Sequence, residues 1–395
     1  MSNVREYLRK KESNKNEFHN KLLKHKLKLF YRTTLALIAI ATIFIVVKIS
    51  INNKIYTEYR VKSSIKWSES SDAICKRYNE NILSYSKDGS NCTDLNGKVL
   101  WNQTYEMQNP MIDMNGDYVA IGDYNGNSIY VMNSSGKKGE IDTKIPLRRF
   151  CVSQSGIVVA ILEESKITRI CVFDTEGNTL IKFETTMEDY GYPVDISISD
   201  NSQMVAVSYL YVDSGTMTSR VAFYNFDEVG QNYLDNFVSG YDYVDAVVPM
   251  VQFMNDETAF AVADNRLMIY KGKKIPTSNS EIILKENVES TYYSNSYIGL
   301  VYLNTSGETT YKMDIYNASG SLTQTIDFNM EYSDIIFHED SILIYNEGGC
   351  NLFNIKGVEK FNGEFSQSVL EVIPTSKITT YTLVTNETIE TIELR

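Results

Sequence analysis

The chain has 395 residues, with 50 Asp and Glu against 38 Lys and Arg and a net charge of −12. That balance excludes a protein that coats nucleic acid with its main body, since phosphate contacts need a basic face. Five cysteines, an odd number in a long chain, exclude a small disulfide-stapled scaffold, and 43% hydrophobic residues suffice for a large core without staples.

Residues 1–32 form a basic tail with ten Lys or Arg and three acids, which is +7 and leaves −19 for residues 33–395. Leu22, Leu23, Leu27 and Phe30 among the lysines suit a basic amphipathic helix on an anionic lipid surface; the simpler role of the charge is to set orientation. Residues 33–51 (TTLALIAIATIFIVVKISI) then form one apolar run. About 20 apolar residues cross a ~30 Å hydrocarbon core, and Lys48 sits close enough to the far end to reach the interface. The expectation is a single transmembrane helix in a cell membrane, N-terminus cytoplasmic because Lys and Arg hold short flanks inside. A linker, 52–57, then leads to an extracytoplasmic domain, 58–395. The competing reading is a cleaved signal peptide. The basic region is long for one, and residues 50–60 (SINNKIYTEYR) offer no A-x-A site.

All five cysteines, Cys75, Cys92, Cys151, Cys171 and Cys350, fall in the outer domain without a C-x-x-C. They read as free and buried. Richness in Asn, Lys, Ile and Tyr fits an AT-rich bacterial gene.

One unit recurs through the outer domain. A polar turn precedes an apolar β-branched run: Asn115-Gly116-Asp117 before YVAIG, Gln154-Ser155-Gly156 before IVVAIL, Asp200-Asn201-Ser202-Gln203 before MVAVSYL. Each run is too short for a helix and fits a strand. A second turn follows, centred on Gly97, Gly136, Gly177, Gly230, Gly272, Gly320 or Gly357, where glycine supplies positive φ. Strand, turn, strand, loop, strand, Gly turn, strand is one propeller blade. Inner strands are predicted to start near Ala73, Pro110, Arg149, Val194, Val247, Ser290, Ser333 and Val369, spaced 36 to 53 residues apart, close to the ~40–50 of four-strand blades. The last unit has three strands, and EYRVKSSIKW at 58–67 can supply the fourth, hiding both ends of the ring. The fold expected is all-β, an eight-bladed β-propeller, with seven blades as the alternative.

LNGKVLW (Leu95 to Trp101) resembles the blade end of pyrroloquinoline-quinone-repeat propellers, and SISDNSQMVAVSYL (Ser197 to Leu210) resembles the strand-turn-strand of WD40-like repeats. The layout of basic tail, single span and divergent propeller is similar to membrane-anchored proteins of Gram-positive anaerobes known only as a domain of unknown function. That resemblance implies the propeller and no activity. The Trp-rich repeats of quinoproteins are absent, since Trp67 and Trp101 are the two tryptophans, and no cofactor is expected.

Catalytic constellations are sparse. His338 is the one histidine of the outer domain, so a Ser-His-Asp triad or a His-containing metal site would depend on it; it reads as a turn residue. The turns Asp123–Asn127 and Asp174–Asn178 bring oxygens together but lack the calcium-loop spacing. SYSKDGSNCT (Ser84 to Thr93) faintly resembles the Asp-box turn of sialidases, without its terminal Trp.

A face is the stronger signal. Loops from each outer strand to the next inner strand share a rim with the loops joining second and third strands. The first set repeats aromatics with acids: Glu188-Asp189-Tyr190-Gly191-Tyr192, Tyr241-Asp242-Tyr243, Tyr292-Tyr293 and Glu331-Tyr332. The second adds Tyr124 and two long loops, 209–220 with Tyr211 and 303–310. Tyrosine offers contact area at low entropic cost, and acids favour a basic partner; the alternative is that the tyrosines wedge between blades. The reading is a non-enzymatic membrane-anchored binding, scaffold or sensor module that recognises a protein or cell-envelope ligand by this rim and no nucleic acid. The alternatives are a quinoprotein-like or glycan-active enzyme and a structural spacer.

Overall fold

The computed structural model describes residues 25–44 and 54–395, apart from 71, 166, 187–189, 306 and 378, with isolated positions 3, 10 and 23. The chain divides into two units, Met1–Ile55 and Tyr56–Arg395.

In the first unit His25–Phe44 is one helix of 20 residues, long and apolar enough to cross a membrane. It contains no Pro or Gly, and Leu, Ala, Ile and Lys sustain it. Thr33 and Thr34 donate to the Phe30 carbonyl, so their hydroxyls are satisfied within the helix. Leu35, Leu37, Ile38, Ile40, Ile43 and Phe44 are exposed. A single such helix near an N-terminus fits a transmembrane span or a signal sequence. It starts eight residues before the predicted 33, because the basic residues Lys26, Lys28 and Arg32 are themselves good helix formers; positions 45–51 of the predicted span lie outside the described residues.

The second unit contains eight four-stranded antiparallel sheets among the described residues. Numbered as blades 1–8, their inner strands begin at Ile74, Pro110, Leu147, Tyr192, Met250, Ser290, Asp334 and Glu371. The turn-plus-apolar-run reading placed all eight within three residues. Blade 8 is completed by Tyr59–Lys66, which pairs with Thr388–Leu394 from Tyr59↔Leu394 to Lys66↔Thr388. The segment just after the linker therefore closes the ring, as its lack of a blade predicted, and the count is eight.

Each seam between blades buries an apolar cluster, because both faces of every middle strand are covered. In blade 4 Met204, Ala206 and Phe223 pack toward blade 5, while Val205, Val207 and Tyr224 pack toward blade 3. That two-sided burial explains why MVAVSYL reads as a continuous apolar run rather than an alternating one. The glycines at the outer turns have a second duty. Gly177, at φ +89°, lies so close to the preceding blade that a Cβ would come within 2.7 Å of the Glu140 carbonyl oxygen.

Polar devices also join the blades. Asp113 of blade 2 accepts the Val152 N–H of blade 3 at 2.6 Å. Asp195 of blade 4 accepts the Val251 N–H of blade 5 at 2.8 Å, and Arg149 of blade 3 pairs with it from the other side. Glu371 of blade 8 accepts the Arg77 N–H of blade 1 at 3.2 Å and the Tyr345 hydroxyl of blade 7 at 3.0 Å. Each is an inner-strand carboxylate pinning a neighbouring blade. The five cysteines are free and buried.

Candidate ligand-binding rim

The two sets of loops do share one rim. Tyr124 and Asn125, in the second-to-third strand turn of blade 2, donate their N–H groups to Asn109, in the loop before blade 2, and to Leu147, where the loop after it enters the inner strand of blade 3. Asp264 of blade 5 donates likewise to Val247. The chain enters the propeller on the opposite face: Thr57 N–H bonds to the Arg395 carbonyl, and Leu394 N–H to Thr379 in a first-to-second strand turn.

The predicted residues fall into three groups. Tyr124 and Tyr192 belong to one rim network built across blades 2, 3 and 4. Arg148 stands 5.6 Å from the centre of the Tyr124 ring and donates to Glu163 at 2.7 Å, and the Tyr192 hydroxyl donates to the same Glu163 at 3.0 Å. Burial and the Glu163 carboxylate raise the Tyr192 pKa. A second network sits on blade 4. Arg220 bonds Asp242 with two nitrogens, at 2.6 and 3.0 Å, and the Tyr211 hydroxyl donates to Asp242 at 3.2 Å. The Arg220 bonds hold the Asp242 carboxyl below its usual range. In both networks an arginine neutralises the acid, so the rim is less acidic than its loops read.

A second group wedges between blades. Tyr243 is buried with its hydroxyl 2.7 Å from that of Tyr270, and Tyr241 donates to the Pro276 carbonyl at 3.0 Å. Tyr292 and Tyr332 meet edge to face at 6.1 Å in the seam of blades 6 and 7, where Tyr332 also meets Ser290 at 2.7 Å. Glu331 is exposed, its carbonyl taken by the Asn346 amide.

The third group lies elsewhere. Tyr293 ends the inner strand of blade 6, 42% exposed and edge-on to Phe260 at 5.4 Å; burial and the carboxylates of Asp113 and Asp195 raise its pKa. Tyr190 borders a pocket of about 160 Å³ between blades 3 and 4, with Phe183, Tyr224 and Phe237. Glu188 and Asp189 lie outside the described residues.

Residues read as a long loop at 209–220 are mostly strand. Met204–Asp213 and Thr216–Asn225 pair throughout and turn at Ser214 and Gly215, φ 50° and 84°. Asp-Ser-Gly between β-branched runs is a tight-hairpin signal, hidden here by the polar composition of the tip. The hairpin carries exposed apolar residues that the aromatic search passed over: Val212 and Met217, paired across it, are 68% and 46% exposed, while Val244, 62% exposed, pairs with Thr218 and lies on the other face of the sheet. The Asp245 N–H bonds to the Met217 carbonyl. The loop then runs into a cleft of about 400 Å³ lined by Val247, Pro249, Met250 and Val288, with Asp264 and Glu289 at its edge. The signal for this patch was blade length: blade 4 has the widest predicted spacing, 53 residues.

The catalytic candidates take structural positions. His338 has Nε2 3.1 Å from the Thr375 carbonyl, linking blades 7 and 8. The Asp123 carboxylate accepts the Gln108 and Asn109 N–H groups, and Asp174 accepts those of Glu176 and Asn178. Among the described residues no group of three or more His, Cys, Asp or Glu is placed to hold a metal ion.

The fold is an eight-bladed β-propeller. The chain belongs to a family of unknown function (DUF5711), whose model matches residues 52–394. No curated protein matches it. Solved structures of similar shape include BamB from Moraxella catarrhalis, 10% identical over 85% of this chain and 100% of that one, TM-score 0.50. Sqt1 of Saccharomyces cerevisiae is 11% identical over 87% and 99%, TM-score 0.51. Apo AztD from Citrobacter koseri is 9% identical over 75% and 87%, TM-score 0.52. At these identities the likeness is one of fold.

Proposed function

We propose that this protein is a non-enzymatic binding or scaffold module of the cell envelope, held by a single membrane span with its N-terminus cytoplasmic. Its contact surface is the rim of blades 4 and 5. The observation that carries this reading is the projecting hairpin with Val212 and Met217 exposed beside an apolar cleft. Exposed apolar residues grouped on a raised element, rimmed by acids, mark association sites. Asp213, Asp245, Asp264 and Glu289 around it favour a protein partner with basic residues at its contact edge. The rim lies on the propeller face opposite the one where Thr57 and Leu394 lie. Against catalysis stand the inner-strand carboxylates Asp113, Asp195 and Glu371, each already accepting a backbone N–H from a neighbouring blade.

Site-directed photocrosslinking in cells tests the assignment. A crosslinker at Met217 is expected to capture a defined protein that one at Val358, exposed on the outer turn of blade 7, does not. Equal capture from both positions, or none from Met217, rejects the rim as the contact surface.

A further inference from the structure

Seven seams of the ring are filled by extended apolar clusters, and the eighth departs from them. Where blade 8 meets blade 1 the buried cluster is Cys75, Ile82, Ile373, Val384 and Ile389. Outward of these residues contact between the two blades thins to the half-buried Trp67 and Leu95 and to the outer turn at Gly97 against Ile65. They enclose an open cleft of about 590 Å³.

The face that blade 1 turns into this cleft is polar. Ile82, in the cluster, pairs with Thr93, and Ser84 pairs with Asn91, which pairs with Asn102. Facing residues of paired strands share a side, so Ser84, Asn91, Thr93 and Asn102 point where the other seams put Val, Ile or Phe, with the exposed Val99, partner of Thr93, at the outer end. The opposite side of the same strands, Leu83, Cys92 and Trp101, is apolar and packs on blade 2. Polar residues on a seam face give up packing energy, and such local conflict with the fold is expected at functional sites.

The polar groups are held in place. Glu69, in the loop between blades 8 and 1, accepts the Asn91 amide at 3.1 Å with one carboxylate oxygen and the Ser70 N–H at 3.1 Å with the other. The Thr93 hydroxyl donates to Asn91 at 3.2 Å. Trp67, half-buried at the lip, is tied to blade 8 by its backbone N–H on the Glu387 carbonyl at 2.9 Å. The Asn102 amide and Thr104 hydroxyl make no hydrogen bond to another described residue. The cleft thus offers amide donors and acceptors, hydroxyls and an indole.

We propose that this cleft binds a neutral carbohydrate. Sugar hydroxyls both donate and accept, as the Asn and Thr side chains here require, and the apolar face of a sugar ring covers an indole. An anion would meet two acids, Glu69 and Asp88, against one cation, Lys66, and an apolar ligand would leave the amides unpaired at the usual cost of a lost polar partner. This site is separate from the rim of blades 4 and 5 and does not depend on it.

The chain reports on this cleft directly, since Trp67 is at its lip and the second tryptophan, Trp101, is buried in the seam of blades 1 and 2. The full chain, purified in a detergent without sugar headgroups, is titrated with chitotetraose, cellotetraose and xylotetraose while tryptophan emission is followed. At least one is expected to give a saturable blue shift that Trp67→Phe abolishes. Replacing Asn102 and Thr104 together by Ala, both exposed and outside the core, is expected to weaken binding about tenfold or more with an unchanged melting temperature. Two results overturn the proposal: no saturable change with any of the three sugars up to about 10 mM, or binding that the double variant leaves intact.

Discussion

The seam between blades 4 and 5 and the seam between blades 8 and 1 do the same topological task by different means. At the first, Phe223 meets Phe253 and Tyr270 edge to face at 6.2 and 5.0 Å, inside a cluster that runs from the inner strand to the outer one. At the second, the buried cluster is Cys75, Ile82, Ile373, Val384 and Ile389, with Trp67 and Leu95 half-buried beside it, and a cleft takes the remaining space. Across the second seam the Glu371 carboxylate takes the Arg77 N–H, while the ladder of Tyr59–Lys66 on Thr388–Leu394, inside blade 8, ties that blade to the chain that runs on into blade 1. In a ring closed in this way the strands from the two ends meet inside one blade, and the chain crosses the next seam to start the first blade. Here that seam is the least packed, and so it has room to be used for something else.

The largest test of this contrast is removal of the closing strand. Deleting residues 54–66 leaves Thr388–Leu394 as a bare edge and takes away the backbone support of the thin seam. The expected outcome is loss of the monomeric, cooperatively melting species, read by light scattering after size exclusion and by thermal melting. A truncated chain that stays monomeric and melts as before would show that the ring does not depend on its N-terminal strand.

That strand was legible because an unpaired segment and a three-stranded last unit occurred in one sequence. Blade starts were legible for the same kind of reason: Asn115-Gly116-Asp117 and Asp200-Asn201-Ser202 are turn chemistry in front of runs buried on both faces. The site was much less legible. Composition marks Tyr243 and Tyr190 alike, yet the first bonds to Tyr270 inside a seam and the second borders a pocket. Whether a tyrosine in a loop faces solvent depends on the neighbouring blade, some 40 residues away in sequence, and no local pattern encodes it. Arg148 and Arg220 carried no motif, although they neutralise the acids that made the rim look anionic.

A smaller effect concerns Glu371. Burial raises its pKa from the ordinary 4.5 to about 7, against the opposing influence of Lys76 and the Tyr345 and Arg77 hydrogen bonds, with Asp334 adding to the rise. The folded chain therefore holds this proton more tightly than the unfolded chain. Above about pH 7 both states are ionised and the cost of the buried charge is complete; between pH 7 and 4.5 the folded state takes up a proton and stability rises. The window corresponds to about 3 kcal/mol. Glu371→Gln, which keeps an acceptor for the Arg77 N–H, is expected to melt higher than the native chain at pH 8 and level with it at pH 5. A variant less stable at both pH values would show that the charge on Lys76 outweighs desolvation, and that the seam is held by an ion pair.

The smallest effect compares one turn in two seams. Gly97 of blade 1 and Gly177 of blade 3 have φ +78° and +89°, and each rests on the outer strand of the preceding blade. Both pay about 1 kcal/mol when replaced by Ala, for placing a Cβ in the left-handed region. They differ in room. A Cβ at Gly177 falls 2.7 Å from the Glu140 carbonyl oxygen, which is backbone and cannot turn aside, whereas at Gly97 the nearest atom is Ile65 Cγ2 at 3.4 Å, an ordinary contact. Gly177→Ala should therefore cost about 1–3 kcal/mol more than Gly97→Ala, the penalty of overpacking, measured by urea unfolding. Equal costs would mean that the seam of blades 8 and 1 is as tight at its outer end as the others, and the cleft would then be a local recess in a normal seam rather than the consequence of a loose one.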